Sequence, residues 1–184
     1  MAAGVTDWRV RRAELDDAPT LARTNVAAWR SAYAGIVPDE HLAGMDPLAR
    51  AETWREYLSA GDPYATFVAV DAQDAIAAYC TVGVLRTVDG KGEPSAGELM
   101  AIYADPARKG TGAGRAVHDS GLDHLIQHGF EWAGLWVFTA NSAARAFYAA
   151  QGWTPDGETH EFELAGKVIS EMRYTRRLLA ATKG

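Results

Sequence analysis

Three glycines alternate at positions 110, 112 and 114, inside the stretch Ile102-Tyr103-Ala104-Asp105-Pro106-Ala107-Arg108-Lys109-Gly110-Thr111-Gly112-Ala113-Gly114-Arg115-Ala116-Val117. An apolar run gives out, a polar loop follows, and the glycines open what reads as a helix. Glycine lets the backbone approach a ligand closely and adopt positive φ without a Cβ penalty. The first N–H groups of the helix then point outward unpaired and, with the helix dipole, make an anion site. A pyrophosphate is the natural occupant, and Arg115 or Lys109 can add charge. A P-loop requires Gly-Lys-Ser/Thr, which Gly112-Ala113-Gly114-Arg115 lacks. A dinucleotide fingerprint requires a third glycine at Val117 and a strand feeding the loop directly, whereas Asp105 to Lys109 intervene here. On this loop alone, a turn that binds nothing stays open. His124 and His128 are four apart on the same helix, as metal ligands can be. Leu125 stands where His-Glu-x-x-His needs Glu, and no third ligand is evident, so no metal is expected.

The elements that position these residues follow from the pattern. Trp8 to Arg11 reads as a first strand. Asp16 and Asp17 can cap a helix with Pro19 in its first turn, and Leu21, Val26 and Trp29 fall roughly on one face of it. Pro38 opens a second helix, with Asp39 and Glu40 at its N-terminus. A third spans Pro47 to Ala60, ended by Gly61 and Pro63. Tyr64 to Val70 and Ala75 to Leu85 read as a strand pair around a turn at Asp71 to Asp74. Thr87 to Gly97, rich in glycine and holding a proline, is predicted as a loop. Glu98 to Ala104 is a fourth strand, Gly112 to Gln127 a helix stopped by Gly129, Trp132 to Thr139 a fifth strand, and Ser142 to Gln151 a helix ended by Gly152. A final hairpin runs through Trp153 to Leu164 and Lys167 to Arg176, and Arg176 to Gly184 reads as a frayed tail. Strands mostly follow one another, which favours a mixed sheet in an α/β (α+β) domain over a doubly wound parallel one.

The 184 residues are 48% apolar and 23% charged, which excludes disorder as the default. A formal net charge of −6 argues against a general nucleic-acid binder, which needs a basic surface. No apolar run is long enough to span a membrane, and Met1 to Asp7 carries no secretory pattern. The single cysteine, Cys80, reads as a core residue, and a cytoplasmic setting is the expectation.

The glycine loop resembles motif A of the GNAT superfamily of acyl-CoA N-acyltransferases. The usual Gln/Arg-x-x-Gly-x-Gly/Ala falls on Lys109, Gly110, Thr111, Gly112, Ala113 and Gly114, with Lys109 replacing Gln or Arg. Leu135 to Trp153 resembles motif B: a strand leads to Asn141, a short helix, the pair Phe147-Tyr148, and Gly152 before Trp153. Ala28 to Pro38 is similar to one group of bacterial members. The resemblance spans most of the chain and implies one N-acetyltransferase domain over residues 1–184. The implied sheet is mostly antiparallel, with six to seven strands and about four flanking helices, and strands four and five splay into a V. Acetyl-CoA is the implied co-substrate. The backbone of Ile102, Tyr103 and Ala104 would hold pantetheine, Gly110 to Arg115 the pyrophosphate, and Asn141 the cofactor near pantetheine.

The implied reaction is direct attack of an amine on a thioester. Tyr148, protonated at neutral pH, is the candidate acid for the leaving thiolate. Glu98, expected to begin strand four on the acceptor side, is the candidate base through a water, with Glu131 and His160 as weaker alternatives. Trp29 and Tyr33 sit where family members line the acceptor pocket, and an aromatic wall could grip an amine by cation–π contact. The expected acceptor is a small-molecule or peptide amine, with a homodimer open. A CoA-binding regulatory module without catalysis is the competing reading.

Overall fold

The computed structural model describes residues 8–87 and 92–178. Seven strands form one sheet in the order β1-β2-β3-β4-β5-β7-β6. They are β1 (Arg9–Arg12), β2 (Ala65–Val70), β3 (Ile76–Arg86), β4 (Gly92–Ala104), β5 (Trp132–Phe138), β6 (Thr154–Leu164) and β7 (Lys167–Arg177). Neighbours run antiparallel except β4 and β5, which are parallel. Five α-helices flank the sheet among the described residues: α1 (Ala18–Ala32), α2 (Asp39–Gly44), α3 (Pro47–Leu58), α4 (Ala113–Gln127) and α5 (Ser142–Ala150). None is long and apolar enough to cross a membrane.

Both faces of the sheet are covered, and the strand period of two sorts side chains between them. Along β3, Ala78, Cys80 and Val82 pack toward Val117, Leu122 and Leu125 of α4. Tyr79 points the other way, with Val68 and Val70, against Leu21 of α1 and Trp54 of α3. Burial on both sides explains the near-continuous apolar reading of β2 and β3. Cys80 is fully buried, and burial pushes its thiol up, so it is a core residue.

The predicted elements stand within a few residues of those observed, with one substantive correction. Strand β4 begins at Gly92, not at Glu98. Arg86↔Gly92 and Leu85↔Glu93 continue the ladder with β3 through what the glycines and Pro94 suggested was loop. Pairing with a neighbour overrides weak local propensity. Glu98 therefore lies inside its strand rather than at its start. Residues 88–91 of the predicted loop, the N-terminal residues 1–7 and tail residues 179–184 lie outside the described residues. At the start of α1, the Asp17 carboxylate turns back to Arg11, at 2.7 and 3.0 Å, and to the Glu14 N–H, and makes no side-chain cap on the helix.

Candidate active site

Strands β4 and β5 touch only at Gly97↔Ala133 and Glu98↔Gly134. Beyond that point they diverge. β4 stays paired with β3 on one edge as far as Ala78↔Ala104, and β5 stays paired with β7 as far as Phe138↔Glu171. The facing edges, from Leu99 to Ala104 and from Leu135 to Phe138, have no strand between them. Their backbone groups face a cleft of about 850 Å³. The β3–β4 register also jumps between Val82↔Leu99 and Thr81↔Ala101, which leaves Met100 as an extra residue in β4 where the strands part. Bulges of this kind turn backbone groups out of the ladder.

The glycine loop closes one end of the cleft. Its outer side is tied down: Asp105 Oδ1 accepts from the Ala107 N–H at 2.9 Å, Arg108 pairs with Asp71 at 2.8 Å, and Trp8 Nε1 donates to the Thr111 carbonyl at 2.9 Å. Gly110 and Gly112 hold φ of +77° and +91°, which only glycine adopts freely. The positive φ at Gly112 delivers the chain into α4, whose first turn has no side-chain cap. The N–H groups of that turn are left for an outside anion. A Cβ on Gly114 would meet nothing within 4 Å. The space above that residue is open, so packing within the protein does not demand a glycine there. Lys109 reaches Ser31 at 3.2 Å, and Arg115 is mostly exposed and 3.8 Å from Asp119, so both cations stand at the mouth. The Thr111 hydroxyl turns inward to the Arg108 carbonyl, and Thr111 is absent from the cleft wall.

Asn141 stands at the start of α5. Its Oδ1 caps the helix by accepting from the Ala144 N–H at 3.1 Å, and the residue lines the cleft. About two turns further along α5, Tyr148 packs edge-on against Phe147 and Trp153 and is 7% exposed. Its hydroxyl has no hydrogen-bond partner among the described residues. Burial pushes its phenol well above the usual tyrosine value, so it holds its proton at any ordinary pH.

The opposite end of the cleft is aromatic. Trp29 and Tyr33 meet edge-on at 4.8 Å, and Tyr33 lies 4.8 Å from Phe138. The Tyr33 and Tyr103 hydroxyls are 2.8 Å apart. Burial raises the Tyr33 phenol, the bond to Tyr103 opposes that shift, and the Glu171 charge adds to it. One face of Trp29 is already occupied by the Arg50 guanidinium at 5.6 Å. The expected aromatic wall exists, therefore, but Trp29 carries an internal cation.

Glu98 lines the cleft yet is 1% exposed. Its carboxylate accepts from the Arg86 backbone N–H at 2.7 Å, from Nε at 3.0 and 3.2 Å, and from the terminal guanidinium nitrogen at 2.6 Å. Those four contacts fill the roughly four lone-pair positions a carboxylate has. Glu171, on β7, also lines the cleft, and His160 Nδ1 lies 3.2 Å from its carboxylate. Sequence reading did not single out Glu171. The only signal was its place in the last hairpin opposite His160, 11 residues earlier. Glu131, another weaker alternative, is not part of the cleft wall.

A profile of the Acetyltransferase (GNAT) family matches residues 26–153. The chain belongs to this family. A relative in it is the uncharacterised N-acetyltransferase YuaI of Bacillus subtilis (strain 168), 32% identical over 164 residues that cover 89% of each chain. Mycothiol acetyltransferase of Kocuria rhizophila is 36% identical over 103 residues, which is 54% of this chain but 33% of that protein. Among solved structures, the PaiA N-acetyltransferase of Thermoplasma acidophilum in complex with coenzyme A has a TM-score of 0.74 at 15% identity, covering 93% of this chain and 99% of that one. The yncA protein of Salmonella typhimurium, solved with acetyl-CoA, has a TM-score of 0.68 at 18% identity, over 95% and 96% of the two chains. At those identities the structures speak for the fold, and the GNAT fold is what the seven strands and the parting of β4 from β5 make. The protein is a GNAT acetyltransferase.

Proposed function

We propose that this acetyltransferase moves an acetyl group from acetyl-CoA to the primary amine of a small molecule or peptide, by direct attack. The observation that carries the reading is Tyr148: a buried, protonated phenol without an internal partner, on the wall of a cleft whose β4 edge is unpaired. The residues present fit the co-substrate. The uncapped first turn of α4 and the open space over Gly114 suit a pyrophosphate, and the free edge of Ile102, Tyr103 and Ala104 suits an amide-bearing arm. Asn141 lines the same cleft, where its side chain caps α5. Acetyl-CoA supplies the activated acyl group, and two of the neighbouring structures hold CoA or acetyl-CoA.

The chain's own groups then divide the proton work. Tyr148 holds a proton for the departing sulfur. A backbone N–H freed by the bulge at Met100 can polarise the carbonyl oxygen as charge builds on it. The incoming amine must lose a proton, and the Glu171–His160 pair offers the open carboxylate for it. Glu98, the acceptor-side carboxylate expected from the sequence, is engaged by Arg86 and instead holds that guanidinium on the cleft wall. Trp29 and Tyr33 shape the acceptor end.

The test is thiol release from acetyl-CoA against a panel of amines, run beside calorimetry for acetyl-CoA. Amine-dependent release supports the enzyme and names the acceptor class. Tight binding with no release across amino acids, polyamines, aminoglycosides and peptides supports a CoA-binding module without catalysis. No binding overturns the reading of the glycine loop.

A further inference from the structure

The two histidines near the end of α4 gain from the fold the third donor that the sequence did not show. Asp62, in the loop between α3 and β2, comes within 3.9 Å of His124 Nε2 and 3.6 Å of His128 Nε2. The ligand atoms of all three lie within 4.8 Å of one another. The rings of His124 and His128 are 4.1 Å apart, as successive turns of one helix allow. None of these residues lines the cleft. Along α4, His124 is roughly 18 Å from the glycine loop at 1.5 Å per residue.

The orientation of His128 and of one Asp62 oxygen leaves both facing a shared point, beside His124 Nε2. His128 Nδ1 lies 2.8 Å from the His124 carbonyl. Nδ1 must therefore carry a proton, and Nε2 is the nitrogen that faces Asp62. A backbone carbonyl fixing the remote nitrogen of a histidine is the usual outer support of a metal-bound imidazole. His124 Nε2 lies 3.1 Å from the Pro63 carbonyl, which puts a second oxygen beside the same point. Arg12 holds Asp62 Oδ1 at 2.9 Å, while Oδ2 faces His128. The same Arg12 nitrogen also donates to the Tyr64 carbonyl at 2.9 Å, which leaves Oδ2 as the carboxylate oxygen without that bond.

We propose that Asp62, His124 and His128 bind a divalent metal ion, Zn²⁺ before others, at the end of α4 away from the acetyl-transfer cleft. Two imidazoles and a carboxylate are a borderline-soft set that suits Zn²⁺ over Mg²⁺ or Ca²⁺, and a water or the Pro63 carbonyl can complete four-coordination. Donors around a tetrahedral Zn²⁺ sit about 3.3 Å apart for bonds of about 2.0 Å. The observed separations close to that by small side-chain rotations. On binding, the His124 proton passes from Nε2 to Nδ1 and the ring stays neutral, so His124 releases no proton. The ion would tie the α3–β2 loop to α4. It is a structural clamp and takes no part in acetyl transfer.

The test uses tag-free full-length protein. Equilibrium dialysis against Zn²⁺ with elemental analysis, tetrahedral absorption of the Co²⁺ form, and the melting temperature with and without Zn²⁺ are measured for the wild type, Asp62→Asn and His128→Ala. Asp62 and His128 are partly exposed, so both variants keep the core. The expected result is one ion per chain, a Zn²⁺-dependent rise in Tm, and at least about tenfold weaker binding in each variant. Failure of the wild type to retain Zn²⁺ would overturn the proposal. So would binding by Asp62→Asn or His128→Ala equal to that of the wild type.

Discussion

The Tyr33 hydroxyl lies 2.8 Å from the Tyr103 hydroxyl across 70 residues of sequence, and Tyr148 is close enough to couple with them, its charge acting on Tyr103 and that of Tyr33 acting on it. Burial raises all three phenols, and Tyr79 behind them as well. Ionising any one of these phenols makes the next harder to ionise. In the unfolded chain each titrates near about pH 10. The folded values lie above that, so the stabilisation is fully present below about pH 10 and is lost as pH rises beyond it. Denaturant unfolding followed from neutral to strongly alkaline pH should show stability falling only above about pH 10. Phenolate absorbance from these four should appear with unfolding and not before it. Their ionisation in the native state near pH 10 would contradict the burial argument.

Tyr148→Phe removes one oxygen from a site where nothing in the protein holds it. The fold should tolerate the change, and turnover should fall by about 10²-fold or more, the usual scale of general acid catalysis. Acetyl-CoA affinity should stay within about twofold by calorimetry. Unchanged turnover would remove Tyr148 from the acid role.

The two carboxylates of the cleft are separable by their pH behaviour. Glu171→Gln should flatten the acidic limb of the pH–rate profile, because its carboxylate is open to the amine. Glu98→Gln should leave the shape of the profile and lower stability by about 2 kcal/mol, the worth of hydrogen bonds to a charged group. Arg86 is 54% exposed, so it can rehydrate once released, which limits the loss. A flattened profile in Glu98→Gln with an unaltered one in Glu171→Gln would return the base role to Glu98.

Local signals were legible in the sequence, and long-range ones were not. Gly110, Gly112 and Gly114 stood out in the sequence because what they do in the fold is local: two positive φ values and one open space. Elements such as α4 and β5 were readable because the apolar period of each agrees with the glycine stop at Gly129 between them. The start of β4 was missed because Gly92, Pro94 and Gly97 oppose a strand locally, while β3 supplies the ladder that forms it. The Arg86 partner of Glu98, 12 residues away, depends on that same ladder. The Asp62 partner of the histidine pair depends on the α3–β2 loop folding back over 62 residues of sequence separation from His124.

Two glycines of the site should respond to substitution in opposite ways. A Cβ at Gly114 meets nothing within 4 Å. Gly114→Val should therefore leave Tm unchanged or raise it slightly, since valine is the better helix residue. It should weaken acetyl-CoA binding by about tenfold or more, the loss of one charge-assisted hydrogen bond. A Cβ at Gly97 would sit 2.8 Å from Leu125 Cδ1, in a fully buried contact behind the point where β4 and β5 meet. Gly97→Ala should lose about 1–3 kcal/mol to overpacking. Calorimetry on both variants separates a glycine kept for a ligand from one kept for the fold. Equal destabilisation would refute the open space over Gly114.

His118 should make the fold sensitive to mild acid. It is fully buried on α4, accepts from Trp153 Nε1 at 3.0 Å through Nε2, and meets Asp119 at 2.8 Å through Nδ1. Burial pulls its pKa below the usual 6.5, and the Asp119 carboxylate opposes that shift only in part. The unfolded chain therefore takes up the proton first. Stability is full above about pH 6.5 and is lost as pH falls toward the folded value, with a slope of at most about 1.4 kcal/mol per pH unit from this residue. His118→Gln keeps an acceptor for Trp153 but does not titrate. Chemical denaturation at about pH 7.5 and about pH 5.5 should show a smaller pH-dependent loss in that variant than in the wild type. An identical loss would mean that protonation of His118 does not drive it.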